Sequence, residues 1–202
     1  MPKKKFPLAE GSSSTVELAW RGMWKDFTVS VDGRELGRMN GQGELAQGST
    51  YTLEDGSTLM VMLDKSFGSG GLNVTRNGVP LPGSNSDPKA QLSAAAGVTF
   101  FIGGFNILLG ALAEAVEIQI LLDNGIGIFN IIFGVVFLAL GFAVRKGSKI
   151  ALIVAIALFA LDGIGSLYLS IEAGASPGVG GIVFRVFLLI AMAKPLGSSS
   201  KT

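Results

Sequence analysis

Two ionisable side chains, Asp162 and Arg185, stand inside long apolar runs of the chain. Two asparagines recur in one glycine-flanked pattern, Gly103-x-x-Asn106-x-x-x-Gly110 and Gly127-x-x-Asn130-x-x-x-Gly134. An ion near the centre of a bilayer costs at least about 2.5–3.5 kcal/mol unless it is paired or hydrated, so a carboxylate and a guanidinium in such runs need a reason to be there. Paired, they tie two helices together. Hydrated, they line an aqueous path, and the carboxylate alone can exchange protons as intramembrane carboxylates do in transporters. The amides ask for less: small residues let helix backbones approach closely, and an amide then finds its partner across the contact, a bond of about 0.6–2 kcal/mol.

Other chemistry is poorly supplied. The chain has no histidine and no cysteine, which removes disulfides, thiolate chemistry, the commonest metal ligand and the side chain most used as a base near neutral pH. An all-carboxylate or Ser/Lys mechanism is left open, but no nucleophile motif and no metal cluster stands out, so neither an enzyme nor a cofactor nor a bound metal is expected. Phe67-Gly-Ser-Gly-Gly71 lacks the Lys-Ser/Thr and the following helix that a phosphate loop needs, and reads as a hairpin loop. Trp20 and Trp24 read as core residues, with stacking on a partner as the alternative. Lys+Arg against Asp+Glu is 10 against 10 over residues 1–90 and 6 against 5 over 91–202, without the basic excess of a nucleic-acid binder.

The elements that must hold these residues fall into two regions. Residues 92–193 form an apolar block with short polar joints, and the overall 15% of charged residues is well below the quarter usual in soluble proteins. Residues 92–113 are 22 without a charge, 124–144 are 21, and 150–171 are 22 with Asp162 as the one acid. Each can cross a bilayer at about 20 residues per span. A shorter fourth run carries Arg185. We expect helices near 92–114, 124–144, 150–171 and 176–193 within a transmembrane domain at 91–194, followed by a flexible tail at 195–202.

Charge alternates along the joints: Lys89, then Glu114, Glu117 and Asp123, then Arg145, Lys146 and Lys149, then Glu172, then Lys194 and Lys201. Basic joints mark the cytoplasmic side, so both termini are expected there. Ala115–Leu122 mixes apolar and polar residues and reads as an interfacial turn of helix. At 1.5 Å per residue, Asn106 and Asn130 both lie roughly 10–12 Å below the outer boundary, which predicts that they face each other. Counted from Lys149 and Lys194, Asp162 stands about 20 Å and Arg185 about 14 Å from the inner boundary, a gap a guanidinium side chain can cover between antiparallel neighbours. A buried Asp162–Arg185 ion pair is the leading expectation.

Residues 14–82 read as a β domain. Val16, Leu18 and Trp20, then Phe27, Val29 and Val31, alternate with polar or small neighbours. Asp32-Gly33, Asp55-Gly56 and Asn77-Gly78 sit between such runs, and Asx-Gly supplies the positive φ angles of two-residue hairpins. Hairpins are expected at Phe27–Arg38, Tyr51–Leu63 and Leu72–Leu81, with a first strand near Thr15–Trp20, in a sandwich or open barrel of about seven strands. Trp20, Trp24, Phe27, Leu59, Val61, Leu63 and Val74 are the expected core. Residues 1–13, basic but without the apolar run of a signal peptide, read as a flexible N-terminus. The prolines and polar residues of 83–90 read as a linker.

The run Val16–Leu36 with its Val-Asp-Gly hairpin, and the later Leu72-x-Val74-x-x-Asn77-Gly78, resemble the β-sandwich of the Fas apoptotic inhibitory molecule family. That resemblance implies a sandwich and no activity. Arg145-Lys-Gly-Ser-Lys-Ile-Ala-Leu, Leu158-Phe-Ala-Leu-Asp-Gly163 and Phe184-Arg-Val-Phe-Leu-Leu together resemble a four-helix membrane module of uncharacterised bacterial proteins, joined there to varied cytoplasmic domains. This second resemblance implies a bacterial inner-membrane location and an anchoring or assembling part.

The expected fold is therefore an α+β membrane protein, an N-terminal antiparallel β-sandwich or barrel-like domain followed by a four-helix transmembrane bundle. The expected role is non-enzymatic: anchoring or assembly, as a homo-oligomer or an accessory subunit of a larger membrane complex, with the cytoplasmic β domain binding a partner. The alternative is a homo-oligomeric channel or small-solute transporter that uses Asp162 and Arg185. The lipid bilayer is a partner in either case; nucleic acid is not.

Overall fold

A computed structural model describes residues 1–64, 71–117, 127–172, 174 and 179–197. The chain divides into two compact units, residues 1–91 and 92–202. The Phe67–Gly71 loop, Asp123 and most of the fourth joint fall largely outside the described residues.

The first unit holds eight strands: β1 (Lys3–Pro7), β2 (Thr15–Arg21), β3 (Lys25–Val31), β4 (Arg34–Met39), β5 (Ser49–Thr52), β6 (Thr58–Asp64), β7 (Gly71–Arg76) and β8 (Val79–Pro80), with a short helix α1 (Gln42–Gln47) between β4 and β5. They form two antiparallel sheets, β1-β2-β3-β4 and β5-β6-β7-β8, each ordered as in sequence. The period-two residues Val16, Leu18, Phe27, Val29, Leu59, Val61, Leu63, Leu72 and Val74 are buried in one shared cluster, because alternate side chains of a strand fall on the same face. Gly37 on β4 lets the sheets meet, since a Cβ there would lie 2.6 Å from the Tyr51 ring.

Two of the three Asx-Gly turns are two-residue hairpin loops with both residues at positive φ: Asp32-Gly33 (49° and 87°) and Asn77-Gly78 (49° and 80°). The third differs from expectation. Thr52 pairs with Thr58, the Gly56 N–H donates to Leu53 O, and only Gly56 has positive φ, so this loop is a longer turn closed by a glycine. It carries a polar cluster. Asp55 accepts from the Ser57 N–H and hydroxyl at 2.9 and 2.6 Å and pairs with Arg76, and these partners, Ser57 foremost, hold its carboxyl below the usual range.

Two expectations at the ends of this unit are corrected, and one element within it is additional. Residues 1–13 are not wholly loose: Lys3–Pro7 is an edge strand on β2, with Phe6 buried and Lys3 and Lys5 both paired to Glu17 at 2.6 and 3.0 Å. Lysines and prolines suit an edge, where they discourage further pairing. Helix α1 was not foreseen, being six residues between Gly41 and Gly48; its Leu45 is fully buried. Residues 83–90 are not a free linker. Ser84 is buried, the Asn85 N–H donates to Leu72 O at 2.9 Å, and the Asn85 amide donates to Asp64 at 2.6 Å over the bare backbone of Gly71.

Among the described residues four helices long and apolar enough to cross a membrane follow: α2 (Pro88–Ala115), α3 (Ile128–Arg145), α4 (Lys149–Glu172) and α5 (Val179–Gly197). Asp87 caps α2, accepting the Lys89 N–H at 3.0 Å ahead of Pro88 in the first turn, the arrangement a helix start favours. Between α3 and α4, Gly147 at φ 97° ends one helix as the Ser148 N–H reaches Ala143 O and the Gly147 N–H reaches Val144 O. Ser148 then caps the next through the Ala151 N–H. This paired closing bond is the usual glycine stop, and it folds α4 back on α3. The expectation of a flexible tail from 195 is corrected at its start: α5 continues to Gly197 with Pro195 buried in its last turn, and 198–202 lie outside the described residues.

Ala95, Ala96 and Ile102 of α2, Phe137 and Val144 of α3, Leu152, Ala155 and Phe159 of α4, and Leu188 and Met192 of α5 form one buried cluster. On α4 no described residue after Phe159 is buried, and on α5 none before Leu188. Among the described residues the core is therefore concentrated toward the α3–α4 joint; the opposite halves of α4 and α5 are largely exposed, with Phe101 of α2 meeting Phe184 of α5 edge to face at 6.4 Å.

Candidate functional site

The α2–α3 contact is built from absence of side chains. A Cβ on Gly103 would stand 2.9 Å from Gly134 O, one on Gly134 2.5 Å from Gly103 O, and one on Gly110 2.6 Å from Gly127 O. Backbone therefore touches backbone at two levels, and Gly141 receives the ring of Phe100 at a third. Between the two glycine levels Asn130 Nδ2 donates to Asn106 Oδ1 at 3.0 Å, and Asn106 Nδ2 donates to Ile102 O at 2.9 Å in its own helix. At the end of the contact Glu114 Oε1 accepts the Ile128 N–H at 2.9 Å, a carboxylate placed on the positive end of α3.

The α4–α5 contact is built from charge. Arg185 Nη1 lies 2.9 Å from Asp162 Oδ2. Gly163 makes room for it, since a Cβ there would stand 3.1 Å from that nitrogen, and the guanidinium carbon lies 5.9 Å from the centre of the Phe159 ring, close enough for a cation–π contribution. The expectation of a buried pair is corrected on one point: the side chains are 34% and 41% exposed, Arg185 and Asp162 respectively. Nη1 itself is buried yet makes no hydrogen bond of regular geometry, so the contact is an ion pair without directional closure. Counting residues along each helix brings the two within reach but does not say which way around the helix they point, and their exposure is a matter of that angle.

The tryptophans stand together at the turn between β2 and β3. Trp20 and Trp24 stack with ring centres 4.7 Å apart, and Trp20 lies over Phe27 at 6.0 Å. Both are partly buried against the core, at its margin rather than inside it. The turn between them holds Met23 and Trp24 at φ 54° and 65°, and Met23 is 82% exposed. Nothing in the spacing announced that tip.

Among the described residues no three His, Cys, Asp or Glu side chains stand close enough to hold a metal. Comparison with protein-family models, with curated proteins and with solved structures gave no match, so the functional reading rests on the geometry above.

Proposed function

We propose that the protein is a non-enzymatic, multi-pass protein of a bacterial inner membrane, with both termini and the β unit cytoplasmic, that anchors and assembles a complex. Its four-helix part holds the membrane position, and the β unit offers the Trp20/Trp24 edge to a partner. The observation that carries this reading is where the intramembrane polar groups go: Asn106 meets Asn130 and Asp162 meets Arg185, each across a helix–helix contact. Polar side chains used this way set which helices meet and in what register. The basic joints at Arg145–Lys149 and Lys194, against the acids at Glu114 and Glu172, support the orientation.

Isolation of the native assembly from membranes in mild detergent tests the reading. The expected result is a particle larger than one chain that survives purification. A lone chain from native membranes contradicts it.

The exposure of the Asp162–Arg185 pair favours a second reading, a homo-oligomeric channel or transporter in which the pair lines a path between copies. Flux through reconstituted vesicles that Asp162→Asn abolishes without unfolding would select that reading over the first.

A further inference from the structure

We infer that the exposed side of α4 and α5 around the ion pair, marked by Asp162, Gly165 and Ser166 on α4 and Gly181 and Arg185 on α5, is the face on which a second copy of this chain docks, with the Asp162–Arg185 pairs of the two copies closing on each other. The inference rests on the assembly reading and names its partner and its surface.

The two helix pairs of the bundle differ in how their polar groups are enclosed. Around Asn106 and Asn130 the backbones touch at Gly103, Gly110, Gly127 and Gly134. Around Asp162 and Arg185 the described neighbours include Phe159 and Gly163, and a third or more of each side chain is exposed. In lipid that exposed part meets hydrocarbon, where an ion pair loses the water that would complete its hydrogen bonds. A guanidinium has five N–H donors and a carboxylate about four acceptor sites, so one contact at 2.9 Å leaves most of both sets open.

A second copy supplies what is missing. The pair carries no net charge but is a dipole lying across two helices. A two-fold axis along the membrane normal keeps each residue at its own depth and sets Asp162 of one copy opposite Arg185 of the other. The result is a closed ring of alternating charge, and such a two-fold contact is self-complementary by construction. The surface also permits close approach. Gly165 and Ser166 lie beside Asp162 on exposed turns of α4, Gly181 lies one turn from Arg185 on α5, and a Cβ on Gly165 or Gly181 would meet nothing within 4 Å. Small residues next to a polar group are what helix contacts in lipid use.

The chain has no cysteine, so single cysteines report the contact directly. Gly165→Cys and Ser166→Cys, placed in the full chain and oxidised in intact membranes, should shift most of the protein to a band of twice the chain mass. Phe129→Cys on α3 and Ile150→Cys at the start of α4, both exposed positions, should stay monomeric. Adding Arg185→Asp to Ser166→Cys should abolish the dimer band, and adding Asp162→Arg to that protein should restore it. The Ser166→Cys chain keeps every charge, so its result stands even where a charge variant does not fold.

No dimer band at 165 or 166, or an equal band at all four positions, overturns the inference. So does a linked species whose mass is one chain plus a different protein. A dimer band at Phe129→Cys alone removes this face but leaves the assembly reading intact, whereas single-chain mass at every position together with a lone chain from native membranes removes both.

Discussion

The α2–α3 pair and the α4–α5 pair solve the same problem by opposite means. In the first, glycines bring two backbones together and one amide bond sits between them, enclosed above and below. In the second, two full charges meet at 2.9 Å across helix halves in which no described residue is buried. The first is complete in a single chain and takes its strength from shape. The second is satisfied in charge but left partly exposed, which is why we proposed that it joins chains.

The sharpest way to break the comparison is to add one methyl group to each pair. Gly134→Ala places a Cβ 2.5 Å from the Gly103 carbonyl, and with backbone on both sides the strain has nowhere to go; a loss of about 2–3 kcal/mol is expected in thermal unfolding in detergent. Removing the amide should cost less. Asn130→Leu leaves Asn106 with its bond to Ile102 O but without its partner, an expected loss of about 1 kcal/mol in the same assay. Gly165→Ala, on the open side of α4, should stay within about 0.5 kcal/mol of the parent or exceed it. A loss at Gly165→Ala equal to that at Gly134→Ala in monomeric protein would erase the distinction between the pairs.

The smallest effect concerns the ion pairs that lie in water. Glu17, Glu35 and Asp55 have carboxyls held below their ordinary values of 4.5, 4.5 and 3.8, chiefly by hydrogen bonds from Lys3, Arg38 and Ser57 respectively. A depressed carboxylate stabilises the fold above its unfolded pKa, and that contribution fades as pH falls through the lower folded value. The β unit should therefore weaken below about pH 4. Both tryptophans lie in that unit, so their fluorescence follows it within the whole chain. Salt should reduce the effect, because exposed pairs are screened.

Much of this was legible in the sequence wherever a residue type has one physical use. Asx-Gly steps marked three hairpins, and two adopt the turn that their positive φ angles demand. The repeated Gly/Asn spacing, with equal separation from the acidic joint, points to Asn106 and Asn130 on facing turns, where a hydrogen bond joins them. Depth counting likewise brought Asp162 and Arg185 within reach. What was not legible depends on partners distant in sequence. Lys3–Pro7 has no alternation to read and becomes a strand because β2 offers an edge. Residues 83–90 look like a linker until Gly71 makes room for Asn85. The helix at 42–47 is too short for a period to appear. The exposure of the ion pair follows from where the buried cluster ends, near Phe159 and Leu188, which apolar composition hides because lipid-facing and core residues are alike.

The central claim is that Asp162 and Arg185 act as a pair between helices. It is tested most directly by thermal unfolding of the full chain carrying Asp162→Asn, Arg185→Gln, and the exchange Asp162→Arg with Arg185→Asp. The account predicts that each single change lowers stability by about 2 kcal/mol, close to the cost of an unpaired intramembrane charge, and that the exchange regains most of the loss. Singles as stable as the parent, or an exchange less stable than both singles, would contradict it.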